Sequence, residues 1–201
     1  ADCVSIITDG APGGPSGYAR LLSRRAGDVC PETVAQKAIA KCLSNTNARP
    51  LPPGDYEVIL EEEAVAELIS SIGMAFDAAA VSEGRSPLAG KIGQKVVGAN
   101  ISVTDDGSDL RGLPMPFDFE GRARKHLTLI DQGVAHELAY DTRSAFKEGK
   151  QPTGHALPDW ARGMGFRALP THVFVKPGDA TLEDMIKSTK KGILVDRKSV
   201  V

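Results

Sequence analysis

Aromatic residues make up only 5% of the 201 residues, with a single Trp, so the stacking platforms that single-stranded nucleic acid requires are scarce. An excess of either charge is also missing. Lys+Arg 24 against Asp+Glu 26 leaves a formal net charge of -2, which advertises no concentrated basic face, and nucleic acid is not expected as a partner. Cysteine is rare: Cys3, Cys30 and Cys42 are odd in number, lie early in the chain and have no Cys-x-x-Cys spacing. They make neither a disulfide framework nor a zinc knuckle, and a reducing, cytoplasmic compartment is expected. No apolar run approaches the roughly 20 residues of a membrane helix, and no basic-then-apolar signal segment opens the chain, so no membrane association is expected.

The remaining composition, 41% hydrophobic and 25% charged, is that of a globular protein. A compact chain of this size buries roughly 70% of the surface it exposes when unfolded. Gly 21 and Pro 13 imply many turns and argue against a helical bundle.

Cys3–Thr8 reads as a strand that stops at Asp9-Gly10, and Ala11 to Gly17 reads as a loop. That loop is no phosphate cradle, because Tyr18 and Ala19 stand where a P-loop needs Lys and Ser/Thr. Pro31 and the spacing of Val34, Ala35, Ala38, Ile39 and Cys42 predict an amphipathic helix over about 32–43. Ser44–Gly54, with Pro50, Pro52 and Pro53, reads as a linker, and Tyr56–Leu60 as a short strand. Glu61, Glu62 and Glu63 open a helical pattern of Val65, Leu68, Ile69, Ile72 and Phe76, where acids suit the positive helix end. A last helix is expected from near Thr181, with Gly192 as its stop. Between these helices the chain reads as β: Val96-Val97, Ile101–Thr104, a hairpin of His126–Ile130 and Val134–Tyr140 turning at Asp131-Gln132-Gly133, and Thr171–Lys176. No β-α-β alternation is seen. The expected fold class is α+β, with mixed or antiparallel sheets and a few amphipathic helices. Residues 1–50 would end an N-terminal α/β domain and residues 51–201 would form a second domain.

Four histidines carry the local candidates for chemistry. His136-Glu137 begins like a zinc-peptidase motif, but Leu138-Ala139-Tyr140-Asp141 supplies no second His one helical turn on. His126 and His136 approach each other across the expected hairpin, with Asp141 nearby. His155 lies in a Gly/Pro-bounded loop, Gln151–Trp160, that carries the only Trp. Asp105, Asp106, Asp109 and Asp118 lack the ligand spacing of a calcium loop, and turn chemistry accounts for Asp105 and Asp106.

Several ordered segments resemble the TldD/PmbA family of peptidases and partner subunits, also described as modulators of DNA gyrase. They are Leu51–Leu60 (LPPGDYEVIL), Glu83–Gly93 (EGRSPLAGKIG), Ile101–Asp106 (ISVTDD), Pro116–Gly121 (PFDFEG), Thr153–Ala156 (TGHA) and Lys176–Ile186 leading into Lys191–Val195. In the catalytic branch, the resemblance implies, zinc is held by an HExxxH helix preceding the segment that here reads Gly84–Gly90, and by a Cys near the C-terminus. Counting back without gaps, the first His falls on Ile69, the Glu on Ser70 and the second His on Met74. Ile and Met cannot ligate zinc as imidazole does, and Ser70 cannot act as general base for a metal-bound water. Thr153–Ala156 is closer to the PmbA-like (TldE-like) partner branch.

The resemblance therefore implies a subunit of a zinc-dependent peptidase complex acting on unfolded peptides, with no cofactor on this chain and zinc on a TldD-like partner subunit. A homodimer is the other expected assembly. Asp118, Thr153 and His155 are the expected substrate-binding positions, with no catalytic or metal-binding residue on the chain. The chain reads as part of a longer protein that would continue toward the family's cysteine. Two alternatives stay open: an active metal-dependent hydrolase using His126, His136 and Asp141 or ligands on further segments, and a non-enzymatic interaction module.

Overall fold

The computed structural model describes residues 1–11 and 14–197. The chain divides into two compact units, Ala1–Asp55 and Tyr56–Val201. In the first, β1 (Asp2–Thr8) pairs antiparallel with β2 (Ser16–Leu22), Asp2 opposite Leu22 and Thr8 opposite Ser16. The expected loop thus ends early, since Ser16 and Gly17 already belong to β2; Pro12 and Gly13 lie outside the described residues. Helix α1 (Pro31–Ser44) starts on its proline and buries Val34, Ala38 and Cys42, spaced one turn apart. Val34 and Ala38 pack on Ala19, with Cys3 and Ile7 alongside. A Cβ at Gly17 would collide with the Ala38 carbonyl, so glycine is what lets helix and strand approach. All three cysteines are free thiols.

The second unit opens with β3 (Glu57–Leu60), which the sequence marks, and closes with β8 (Gly192–Val195), which it does not; the two pair in parallel. Helix α6 (Leu182–Ser188) starts at Thr181, where a capping box with Asp184 satisfies the first N–H groups. It ends at Ser188, well before Gly192. Gly192 instead begins β8, where Thr189 and Glu57 crowd its Cα too closely for a Cβ.

Helix α2 (Glu62–Met74) carries Glu62 and Glu63 in its first turn, as the dipole favours. It stops before Phe76, which enters the core with no exposed surface. The chain turns there because Asp77, in extended conformation, caps α3 (Ala78–Ser82), its Oδ1 accepting the Ala79 N–H at 3.2 Å. A four-stranded antiparallel sheet follows in the order β6-β5-β4-β7, made of β4 (Val103–Asp105), β5 (Leu127–Asp131), β6 (Val134–Ala135) and β7 (Val173–Val175). Gln132 and Gly133, at φ 44° and 85°, make the two-residue turn between β5 and β6. Val96 and Val97 form no strand; Lys95 makes only an isolated bridge to Val134.

Phe76, Leu88, Val103, Leu127, Leu129 and Ile130 are the larger side chains of the core, against which Ile69 and Ile72 of α2 pack. Two short helices not foreseen from the sequence, α4 (Thr142–Lys147) and α5 (Asp159–Arg162), complete the unit. The architecture is α+β, with small antiparallel and parallel sheets and helices. No helix of the described residues is long and apolar enough to cross a membrane.

Candidate functional site

Strand alternation brings Asp105 inward at the end of β4, on the same side as buried Val103. A fully buried carboxylate needs partners, and it has three. His155 Nε2 lies 2.9 Å from Oδ1, the His172 backbone N–H donates to Oδ2 at 2.7 Å, and Arg124 Nη2 stands 3.6 Å from Oδ1. Burial works to raise the Asp105 pKa. The His155 hydrogen bond, the charges of Arg124 and His155 and the His172 N–H outweigh it, holding the carboxyl below the usual range. Burial draws the Arg124 pKa down, against the pull of Asp105 and Asp118.

The loop bearing His155 is hooked into place by its own backbone. His155 Nδ1 lies 2.9 Å from both the carbonyl oxygen and the hydroxyl of Thr153. Thr153 Oγ1 in turn accepts the Tyr140 N–H at 2.8 Å. Gly154 between them has φ 74°, and a Cβ there would strike the Ala123 carbonyl, so only glycine fits the hook. Asp118 fixes the other side: Oδ1 accepts the N–H groups of Glu120 and Arg122, and Oδ2 accepts that of Ala156, all at 2.9 Å.

The structure thus brings Asp118, Thr153 and His155 together, and it does so in the interior. They are 4%, 8% and 2% exposed, beside a cavity of only about 20 Å³ lined in part by Asp118 and His155. Sequence reasoning missed Asp105 and Arg124, the centre of this cluster. The signal for Asp105 was available in the alternation Val103-Thr104-Asp105; for Arg124 there was none.

His126 and His136 are exposed and line a different pocket, of about 380 Å³. Its walls come from 125–127 at the start of β5, from 136–140 after β6 and from 150–153. Backbone hydrogen bonds hold these segments together: the His136 and Glu137 N–H groups donate to Leu129 and Thr128, Lys125 N–H to Thr153, and Thr153 N–H to Tyr140. Asp141 takes no part. It is buried at the start of α4, its Oδ1 accepting from the Ser144 N–H and hydroxyl, with Arg167 Nη2 at 2.7 Å from Oδ2. The trio of His126, His136 and Asp141 therefore does not assemble. Among the described residues no group of three or more His, Cys, Asp or Glu side chains is placed to hold a metal ion.

The positions on α2 answer the same question. Ile69 packs on the core, Ser70 donates its hydroxyl to the Ala66 carbonyl at 2.8 Å, and Met74 is exposed at the end of the helix. An alkyl group, a backbone-bonded hydroxyl and a thioether do not fit a zinc ion.

A family model described as the PmbA/TldA metallopeptidase C-terminal domain matches residues 53–200. A metalloprotease of Methanothermobacter thermautotrophicus is 26% identical over 182 residues, which are 90% of this chain and 38% of that protein. Among solved structures, TldE from Thermococcus kodakarensis superimposes with a TM-score of 0.84 at 26% identity, over 94% of this chain and 42% of that one. A Thermotoga maritima protein named as a modulator of a DNA gyrase gives a TM-score of 0.86 at 26% identity, over 98% and 44%. The chain spans only 38% to 44% of the length of these three proteins. With the model covering most of the second unit and whole-chain similarity in fold, the chain belongs to the TldD/PmbA family of metallopeptidases.

Proposed function

We propose that this chain is a non-catalytic, partner-type subunit of a TldD/PmbA-type peptidase, shaping a chamber for unfolded peptides while a zinc-bearing sister subunit holds the metal. The observation that carries the reading is the chemistry of α2, where Ile69, Ser70 and Met74 stand at the positions that the family resemblance assigns to the zinc ligands and the general base. The likeness to TldE supports it. In this reading Asp118, Thr153 and His155 act as positioning residues. They lock the 116–122 turn, the 151–156 loop and the end of β4 to one another, so that the loops keep a fixed shape toward a peptide.

The test is metal content, measured on the purified chain alone and on whatever complex it forms with a zinc-bearing family member. Negligible zinc on the chain alone, and about one zinc per pair in the complex as one closed site gives, is the expected result. Stoichiometric zinc on this chain by itself would overturn the reading.

A further inference from the structure

The pocket of His126 and His136 has a charge pattern that the fold does not use. Lys125, His126, His136 and Lys150 all line it and are exposed, and none of the four side chains forms a hydrogen bond or ion pair with another described residue. The acids nearby are already engaged. Glu137 also lines the pocket, with its Oε2 accepting the Thr128 N–H at 2.6 Å, and outside the lining Glu148 Oε2 accepts the Tyr140 hydroxyl at 2.8 Å. Asp106 attracts His126 but itself caps Ser108, accepting both its N–H and its hydroxyl. Between the two lysines and the two imidazoles lies an apolar lining of Ile92, buried Leu127, half-buried Leu138 and the Tyr140 ring.

We propose that this pocket binds the C-terminal end of a peptide, its carboxylate held by Lys125 and Lys150 with His126 and His136 alongside, and its last side chain on the Ile92–Leu127–Leu138 surface. The proposal rests on the peptide-accepting reading above for its choice of ligand. The volume suits it, since about 380 Å³ lies at the small end of ligand pockets and holds one or two residues. So does the donor set. Lysine and imidazole are point donors for a monoanion, whereas a phosphate site characteristically adds an arginine fork or a run of backbone N–H groups at a helix start, and this lining has neither. An apolar lining beneath cationic groups matches an anion that carries a hydrocarbon body.

The experiment compares N-acetyl-Ala-Leu as the free acid with the same peptide as its C-terminal amide, titrated into the isotopically labelled chain and followed by amide NMR shifts at low salt. The free acid is expected to shift resonances of 125–127, 136–140 and 150–153. The amide should bind at least about fivefold more weakly, the size of one or two exposed charge contacts. The Lys125→Ala/Lys150→Ala double variant should lose roughly tenfold for the acid and little for the amide, with an unchanged thermal midpoint because both side chains are exposed. Equal binding of acid and amide, shifts confined to other residues, or no shifts at millimolar peptide would each overturn the proposal. Inorganic phosphate displacing the acid with equal affinity would overturn the peptide assignment. The titration uses this chain alone and reads no zinc. A zinc-bearing chain would sink the partner-subunit reading without touching this result, and a failed titration would leave that reading standing.

Discussion

The second unit holds its four histidines in two opposite states of commitment. His155 and His172 are built into a closed network. One bridges Asp105 and Thr153, and the other gives its backbone N–H to Asp105 while its Nδ1 faces Arg124 at 3.0 Å. Because a guanidinium can only donate, His172 Nδ1 is the acceptor there, and its Nε2 faces the Leu113 carbonyl. His126 and His136, flanking β5 and β6 of the same sheet, reach a pocket open to solvent, and their side chains bond to no described residue. The difference separates two kinds of site. The first spends its polar groups on holding loops in place; the second keeps them available for something that arrives.

The largest effect that would sharpen this contrast is expected from Asp105→Ala. It leaves Arg124, His155 and the His172 N–H buried without their shared acceptor, and breaking a buried pair in this way costs about 3–5 kcal/mol. Thermal or urea unfolding checks it. A loss below about 1 kcal/mol would mean that water or rearrangement replaces the carboxylate, and that the cluster does not hold the loops. Gly154→Ala comes next. It forces a residue with a Cβ into φ 74° and against the Ala123 carbonyl, at a cost of about 1–3 kcal/mol for the backbone conformation before any clash is counted. The same change at Gly149, also at positive φ but with open space around it, should cost less, which isolates the close approach from the dihedral.

Acid should reveal the network in a third way. Burial opposes the ionised forms of Asp105 and Asp141, yet His155 and Arg124 for the first, and Ser144 and Arg167 for the second, hold both below the ordinary aspartate range. A lowered folded pKa means that the unfolded chain binds the proton more readily. The stabilisation is therefore present above the ordinary value of about 3.9 and is lost as pH falls through the lower folded values. Asp77 has the opposite sign: burial raises its pKa, so its contribution is present at low pH and is lost as pH rises through the raised value. Unfolding midpoints measured from neutral pH downward should fall in the acid range, with a shallower fall in Asp105→Asn. Parallel curves for the two proteins would remove Asp105 from the account.

How far the sequence discloses this arrangement depends on whether the determining contact is local. The strand Asp2–Thr8, the helix on Pro31, the Gln132-Gly133 turn and the helix after Thr181 follow from neighbouring residues, and each formed where alternation, capping or turn chemistry placed it. β2 and β8 did not announce themselves, because each is completed by a partner, β1 or the distant β3. The loop positions Asp118, Thr153 and His155 were legible as a group, but the direction they face was not. Turn-rich loops ordinarily run over the surface, whereas here Gly154 lets one loop press on the chain at Ala123 and turns its polar groups inward. Asp105 looked like turn chemistry beside Asp106-Gly107; only the pairing of β4 with both β5 and β7 makes it a buried hub. That Ile69, Ser70 and Met74 on α2 offer no zinc-ligand chemistry, by contrast, is read directly from residue types and needs no fold at all.

The smallest expected effect tests the open half of the comparison. His126→Gln and His136→Gln should each change stability by no more than about 0.5 kcal/mol, since exposed side chains without partners have little to lose on substitution. His155→Gln, chemically the same change, removes a ring that joins a buried carboxylate to a buried loop and should cost several times as much. Equal effects at the exposed and buried positions would erase the distinction between the two sites. If the exposed pair proves as silent as expected, nothing in the folded chain's own stability accounts for two imidazoles and two lysines around one apolar pocket, and the reason for them is then to be sought in what the pocket binds.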